Sequence, residues 1–457
     1  MKQIFSACLA ASFVLIASCV PPTVEKEEEA VSAVEVHKVD ITPDPQFKPR
    51  LHITLPDSCP VPDGMTIEET TGKIYLNVPN FAPRGEDGKK TTPALLCVFD
   101  KEKNFEVLLE YPVHEKSGEI GPMGLDFGPD GNLYVCDNQF FTPPNATWAS
   151  RILRVEMKDG KPTGKVETVV EGLRLANAIL FHDGYVYVSD TNLAAPEDCF
   201  GCGCIWRFTQ DELVGATETI KVDPTIKDKK PVDSHVWVVG ITKKIGRGDN
   251  SGFDGIAWAW GALYTGNFGD GVMYRVEPAE AGSGAICDGI LFAADDAKVQ
   301  KVLDDETLHC CDGIFYDSAT DKIYINDSQA NAIRTLNKNH VANWLWVNDD
   351  TNGDEGLLDQ PAECVAYDGV LYIANFDWAF PGLKNTTSVD KPYTISAIEI
   401  GVKSDDELVE SVRPETQTVD TPAEAPAVEV PAEVPSEAPA ETPEEVPAEV
   451  PAEAPAE

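Results

Sequence analysis

The chain has 457 residues and carries 77 acidic against 36 basic side chains, a formal net charge of −41. Proteins that bind nucleic acid cluster Lys and Arg against the phosphates, so this balance argues against a nucleic acid partner. The N-terminal apolar run, from Ile4 to Ala17, is too short to cross a hydrocarbon layer of about 30 Å.

Residues 1–19 have the pattern of an export signal, with a basic start and an apolar core. The segment Leu15-Ile16-Ala17-Ser18-Cys19 resembles a bacterial lipobox, in which the cysteine is lipidated and becomes the mature N-terminus. We therefore expect a lipid on Cys19 to anchor the protein in the bacterial cell envelope, on its periplasmic or surface side. A soluble secreted protein cut near this point is the alternative.

Both ends of the chain are predicted to be disordered. Residues 20–47 are rich in Pro and Glu and read as an acidic tether, and residues 403–457 consist largely of Pro, Ala, Glu and Val. Such segments cannot bury a core, so they are expected to be extended spacers.

The body of the chain, residues 48–402, contains six copies of one short pattern. Each copy has a lead residue, a tiny residue and an aliphatic pair, followed by a reversal and an aliphatic-Tyr strand. The leads are Asp63, Met123, Asn177, Asp254, Asp312 and Glu363, at spacings of 60, 54, 77, 58 and 51 residues. This period and its strand-like content predict an all-β, six-bladed β-propeller.

Ring closure is predicted to involve both ends of the body. Only one clear strand, Thr394 to Ile400, follows the sixth copy. Arg50 to Leu55 can supply the missing outer strand, which removes an exposed edge. The long gap between the third and fourth copies is interpreted as an excursion at the rim.

In a propeller the six leads meet around the central axis, and the Gly or Ala after each lets the backbones approach closely. Oxygen side chains would then converge, and a divalent cation would remove their mutual repulsion. We predict that calcium, or magnesium or manganese, binds to Asp63, Asn177, Asp254, Asp312 and Glu363. The alternative is a wet channel with solvated carboxylates.

The ends of the second strands return to the same rim and offer further polar side chains. Asn138, Asn192, Asn267 and Asn375 are candidate substrate contacts, as is the apolar Met123. For the four asparagines, a turn-capping role is an equal alternative. The loop from Asn348 to Asp359 has a calcium-loop spacing of oxygens, although a solvated blade loop is the default.

Ten cysteines remain once Cys8 and Cys19 are set aside. Export would place them in an oxidising compartment, so disulfides are expected, with a connectivity that spacing does not reveal. At Cys199, Cys202 and Cys204 a disulfide is favoured over zinc.

The segment Gly121–Val135, GPMGLDFGPDGNLYV, resembles the blade signature of the senescence marker protein (regucalcin)/gluconolactonase family, which is related to calcium-dependent lactonases and paraoxonases. The resemblance implies metal ligands at Asp63, Asn177, Asp254 and Asp312, with Asp254 also a candidate general base. Two positions depart from the family pattern. Asp63 replaces a Glu, and Met123 replaces a polar substrate-binding residue.

Two functions follow from these expectations. The first is a calcium-dependent hydrolase of small lactones or esters, expected to be a monomer, with Asp254 and then Asp312 as catalytic bases. The second is a non-catalytic propeller that binds a ligand or a protein partner at its rim. The fold alone serves both.

Overall fold

The computed structural model describes residues 43–142, 148–193, 202–242, 251–378, 389 and 391–401. The predicted signal, Cys8, Cys19 and Cys199 lie outside these residues, as do most of the tether and the tail from residue 403. The chain divides into two units, Met1–Lys403 and Ser404–Glu457. In the described part no helix has the length and apolar character needed to span a membrane.

Six antiparallel sheets confirm the predicted six-bladed propeller. The strands of blades 1 to 3, from the axis outward, are Met65–Glu68, Lys73–Val78, Leu95–Phe99 and Phe105–Glu110; Pro122–Phe127, Leu133–Asp137, Ser150–Lys158 and Lys161–Leu173; and Ala176–His182, Tyr185–Asp190, Cys202–Thr209, Val236–Ile241 and Ile290–Ala293. Those of blades 4 to 6 are Phe253–Ala259, Ala262–Asn267, Met273–Pro278 and Ala297–Leu303; Ile314–Asp317, Lys322–Asp327, Ala332–Asn337 and Ala342–Val347; and Pro361–Tyr367, Val370–Asn375, Thr394–Glu399 and Arg50–Thr54.

The closure of the ring is as predicted. Arg50–Thr54 pairs antiparallel with Thr394–Glu399, so the first strand of the chain is the outer strand of the last blade. The N-terminal strand thereby joins blade 6 to blade 1, which follows it directly in the chain. The predicted tether also contains a short ordered piece, a 3-10 turn at Pro45–Phe47 capped by Asp44.

The long gap between the third and fourth copies is not only a rim excursion, which corrects the sequence interpretation. It contains Cys202–Thr209 and Val236–Ile241, two strands of blade 3 whose apolar residues are buried between sheets. The remaining segments are the short helix Gln210–Val214, the strand Ile220–Lys221 beside blade 2, and the hairpin of Ile226–Lys227 and Lys230–Pro231.

The core repeats from blade to blade. The Tyr of each copy lies on a second strand with 2% exposure or less, as at Tyr75, Tyr134 and Tyr324. The Tyr75 hydroxyl donates to the Gly160 carbonyl at 2.9 Å, and so connects blade 1 to blade 2. Burying such an aromatic ring contributes strongly to stability, and its hydroxyl needs this partner.

Most described cysteines are buried thiols. Eight are not disulfide-bonded: Cys59, Cys97, Cys136, Cys204, Cys287, Cys310, Cys311 and Cys364. Cys202 is disulfide-bonded. The thiols of Cys59 and Cys97 interact with each other inside the core, and this hydrogen bond lowers the pKa of Cys59.

Candidate functional site

Five of the six predicted lead residues line one funnel at the propeller axis. They are Asp63, Met123, Asn177, Asp254 and Asp312. Four of the inner strands contain a register shift at this point, for example between Pro122 and Leu125 and between Phe253 and Ile256. Such bulges turn a strand locally and re-aim its side chains.

The tiny residues after the leads allow the six inner strands to meet. A Cβ added at Gly64 would lie 2.2 Å from the Met123 carbonyl oxygen. At Gly255 it would lie 2.4 Å from the carbonyl oxygen of Asp312. Each blade therefore packs its backbone against the lead of the next one, and the sequence prediction for these glycines is confirmed.

The sixth lead is Ala362 rather than Glu363. In the other blades the lead precedes by three positions the residue that pairs with the repeated Tyr, as Asp312 precedes Phe315. In blade 6 the partner of Tyr372 is Val365, so the third residue before it is Ala362. Ala362 lines the funnel, and Glu363 occupies the position of the tiny residue.

Glu363 nevertheless belongs to the acidic floor of the site. Its carboxylate accepts a hydrogen bond from the Cys364 amide at 2.9 Å and packs against Gly313. Burial raises the pKa of Glu363 well above its ordinary value, and the charges of Asp63 and Asp312 add to this effect. Burial and the Asp312 charge likewise raise the pKa of Asp63. Three carboxyl groups thus share one poorly solvated space.

Asp254 is held on the other side of the funnel. It is 4% exposed, and its Oδ2 accepts hydrogen bonds from Asn177 Nδ2 at 2.6 Å and from the Thr191 hydroxyl at 3.5 Å. The arrangement fixes Asp254 as an oriented hydrogen-bond acceptor beside the acidic floor.

The side chains at the axis are oxygen donors of the type that calcium prefers. Within the part of the chain that the structure describes, no group of three or more His, Cys, Asp or Glu side chains has the spacing of a metal site. Four of the five predicted ligands, Asp63, Asn177, Asp254 and Asp312, nevertheless line one funnel, and metal binding by them stays a prediction.

Three of the four asparagines predicted to contact substrate, Asn138, Asn267 and Asn375, are buried within the blades. Asn375 accepts from the Asp359 amide at 3.1 Å and donates to Thr394 and Ser396 at 2.8 Å each. Asn138 accepts from the Phe140 amide at 2.8 Å, and Asn267 is fully buried. Neither these three nor Asn192 is among the described residues that line the funnel, and their contact with substrate stays a prediction.

Other residues, which the sequence patterns did not single out, form the wall of the funnel. They are Phe141, Leu175, Thr191, Ser251, Phe268, Gln360, Ala362, Phe376 and Trp378. The space between the walls is about 430 Å³, including the part open to solvent. The site is thus acidic at its floor and mainly apolar and aromatic along its wall.

The acidic loop from Asn348 to Asp359 holds itself together. The Asn348 side-chain oxygen accepts from the Leu358 amide at 3.0 Å and from the Trp346 indole at 3.1 Å. Asn348 thus acts as a turn-capping side chain, and calcium binding by this loop stays a prediction.

No family model and no curated protein matches this chain. Several solved structures are similar to it over most of its length at low sequence identity. An aldose sugar dehydrogenase with bound PQQ from Streptomyces coelicolor is 17% identical and has a TM-score of 0.49, over 78% of this chain and 99% of the other. Regucalcin, a calcium-binding protein from Agrobacterium tumefaciens, is 11% identical with a TM-score of 0.45, over 78% and 95%. A gluconolactonase from Xanthomonas campestris is 11% identical with a TM-score of 0.42, over 79% and 97%.

Proposed function

We propose that this protein is a metal-dependent hydrolase of lactones or esters. The observation that carries the proposal is the convergence of Asp63, Asp254, Asp312 and Glu363 at one funnel, beside an apolar wall. Bringing several carboxyl groups into one poorly solvated space is unfavourable, and this cost is accepted where a bound cation or a reaction uses them.

The donor set fits a hard divalent cation. Asp63, Asn177, Asp254 and Asp312 would hold it, with Glu363 adding negative charge from behind. When bound, such an ion polarises a carbonyl oxygen and stabilises the negative charge that develops on it. The raised pKa of Asp63 supports this assignment, because a carboxyl group in this position gains from a nearby positive charge.

Asp254 is the proposed general base. Asn177 and Thr191 orient its carboxylate at the funnel. It would remove a proton from a water molecule as the water oxygen forms a bond to the ester carbon. The carbon–oxygen bond to the leaving group then breaks, and the proton passes to that oxygen. Asp312 is the second candidate for this role.

The test is turnover of a lactone and aryl-ester panel by the full-length protein, with calcium and then with chelator. Asp254→Asn should lower turnover by a factor of about 10²–10⁴, the usual contribution of a general base. Asp159→Asn, an exposed turn carboxylate, is the matched control and should retain activity. Turnover that survives both Asp254→Asn and chelation would contradict the proposal.

A non-catalytic ligand-binding propeller is the second candidate, because the apolar Met123 lies among the oxygen side chains of the funnel and cannot orient a polar substrate or transfer a proton. That function predicts no turnover of any member of the panel. Calcium would then raise the thermal midpoint without supporting hydrolysis, and Asp254→Asn would abolish only that stabilisation.

A further inference from the structure

Three of the aromatic side chains that line the funnel form one wall, which blades 2 and 6 contribute and Phe81 of blade 1 supports. Phe141 and Trp378 meet edge to face with ring centroids 5.2 Å apart, and Phe376 lies 5.6 Å from Trp378. Phe81 supports both from behind, stacked 5.4 Å from Trp378 and 5.6 Å from Phe141. These are the separations of favourable aromatic pairs, so the wall is a packed unit.

A half-buried lysine, Lys90, supports this wall. The Lys90 ammonium lies 4.6 Å from the centre of the Phe81 ring and donates to the carbonyls of Pro79 and Ile120. Burial lowers the pKa of Lys90 to about 8, although the charge of Glu119 opposes this shift. The cation–π contact and the two carbonyls together fix the ring that supports Trp378.

Gln360 places one polar atom beside the wall. Its backbone amide donates to Asn331 at 2.8 Å, its carbonyl accepts from the Phe376 amide at 2.9 Å, and its Oε1 accepts from the Trp378 amide at 2.5 Å. Its Nε2 is buried and has no hydrogen-bond partner. Since Trp378 must donate to the oxygen, the amide orientation is defined, and the unused group is a donor.

The backbone of Gln360 is also unusual. It has a φ of 52°, a left-handed conformation that a side chain rarely adopts. The positions before the inner strands of blades 2 and 4 are Gly121 and Gly252, which have no side chain to present. Gln360 therefore brings an amide to the funnel from blade 6 at some conformational cost, as is common at functional sites.

We propose that Gln360, Phe376, Trp378 and Phe141 form a subsite for the aromatic part of a neutral lactone or ester. The inference rests on the proposed function and specifies its substrate class. An aromatic ring would lie against the wall, and Gln360 Nε2 would donate to an oxygen of the substrate. The acidic floor disfavours anionic compounds, so the ring carries no carboxylate or phosphate.

The test uses lactams, which keep the ring and the carbonyl of a lactone but resist hydrolysis. Titration calorimetry on the full chain with calcium compares 3,4-dihydroquinolin-2-one with δ-valerolactam. The aromatic lactam should bind about tenfold more tightly, the scale of one good aromatic contact with its buried area. Trp378→Ala should remove most of this preference, and Trp378→Phe should retain much of it.

Gln360→Glu keeps the acceptor for the Trp378 amide and replaces only the unused donor. This substitution should weaken the binding of both lactams by about tenfold, the effect of one lost hydrogen bond. Trp258→Ala, which removes a Trp stacked on His182 outside the funnel, is the control and should preserve both affinities. Circular dichroism confirms that each variant is folded.

Equal affinity of the wild-type protein for the two lactams would overturn the subsite, as would a preference that persists in Trp378→Ala. Because binding is read without turnover, this failure is distinct from a failure of the proposed hydrolase. Tight, Trp378-dependent binding by a protein that hydrolyses nothing would support the subsite and reject the enzymatic function.

Discussion

Buried charged side chains in this propeller depend on the particular groups that replace water around them. Asp126 lies between three blades and accepts from the Phe181 and Phe127 amides at 2.8 Å each. Burial still raises its pKa to about 6, so the two amides only partly replace the lost solvent. At Asp63 burial and the charge of Asp312 both raise the pKa, which lies well above its ordinary value. The same residue type is therefore a structural connector in one place and a candidate ligand in another.

His309 provides a pH test at this scale. Its Nδ1 lies 3.7 Å from Asp327 Oδ2, and that carboxylate raises the pKa of His309, while burial and Arg334 oppose the effect. A histidine with a raised pKa contributes stability that is complete below the unfolded value of 6.5 and is lost as pH rises through the folded value. His309→Asn should therefore lower the free energy of unfolding most near about pH 5.5, by on the order of 1 kcal/mol or less, and least near about pH 9, as urea unfolding at each pH would measure.

His182 is the natural comparison for that measurement. Burial lowers its pKa, and its ring stacks on Trp258 at 4.2 Å. The folded state therefore favours the neutral ring, and protonation at low pH does not stabilise it. His182→Asn should not produce a loss of folding free energy that grows on acidification. A His309→Asn effect that is constant across the pH range would show that the ion pair makes no contribution.

At the scale of elements, the closing strand depends on a single close approach. Gly356, in the loop before blade 6, has a φ of 82° and lies against the backbone of the closing strand. A Cβ there would come within 1.8 Å of the Leu51 amide nitrogen. Because backbone atoms cannot rotate away as a side chain can, the strand would have to move.

Gly356→Ala should therefore destabilise the protein much more than Gly131→Ala. Gly131 has a similar φ of 77° and no atom within 4 Å of an added Cβ, so it isolates the conformational cost of about 1 kcal/mol. The clash at Gly356 should add at least about 2 kcal/mol more, as overpacking does. Urea unfolding of the two variants measures both, and equal losses would show that the closing strand is not tightly held.

The strands and the ring closure could be predicted from sequence because each blade repeats the same pattern of tiny and aliphatic residues. The sixth lead could not be placed correctly. Glu363 is the polar residue nearest to the expected position. The register that puts Ala362 at the axis is fixed by the pairing of Val365 with Tyr372. A shift of one residue along a strand is decided by these pairings, which a single sequence does not display.

The funnel wall could not be predicted for a different reason. Phe141, Gln360 and Trp378 follow or precede strands in loops of unequal length, where no repeat defines their direction. Their meeting depends on the folded arrangement of blades 1, 2 and 6. A Gln in a left-handed backbone conformation, moreover, has no sequence signal comparable to that of Gly or Asn.

At the scale of the whole molecule, both the acidic tail and the rest of the chain carry a net negative charge. Residues 403–457 hold 16 acidic and 2 basic side chains, so they contribute −14 of the net −41 and leave −27 elsewhere. A field of this sign lowers the local concentration of anions and favours cations at the funnel. It agrees with a neutral substrate and a divalent ion, and it predicts that added salt will weaken calcium binding.

We further propose that the protein is attached to a membrane of the cell envelope by a lipid on Cys19, from which residues 20–47 would hold the propeller away from the surface. In the native host, Cys19→Ser should move the protein from the membrane fraction to the soluble fraction, because Ser cannot carry the proposed lipid. Its hydrolytic activity should be unchanged, since Cys19 lies 44 positions before Asp63, the first residue of the site. Cys8→Ser is the matched control and should leave the protein in the membrane fraction. Membrane association that persists in Cys19→Ser would reject the lipid anchor, whereas a parallel loss of activity would mean that attachment is needed for folding or export.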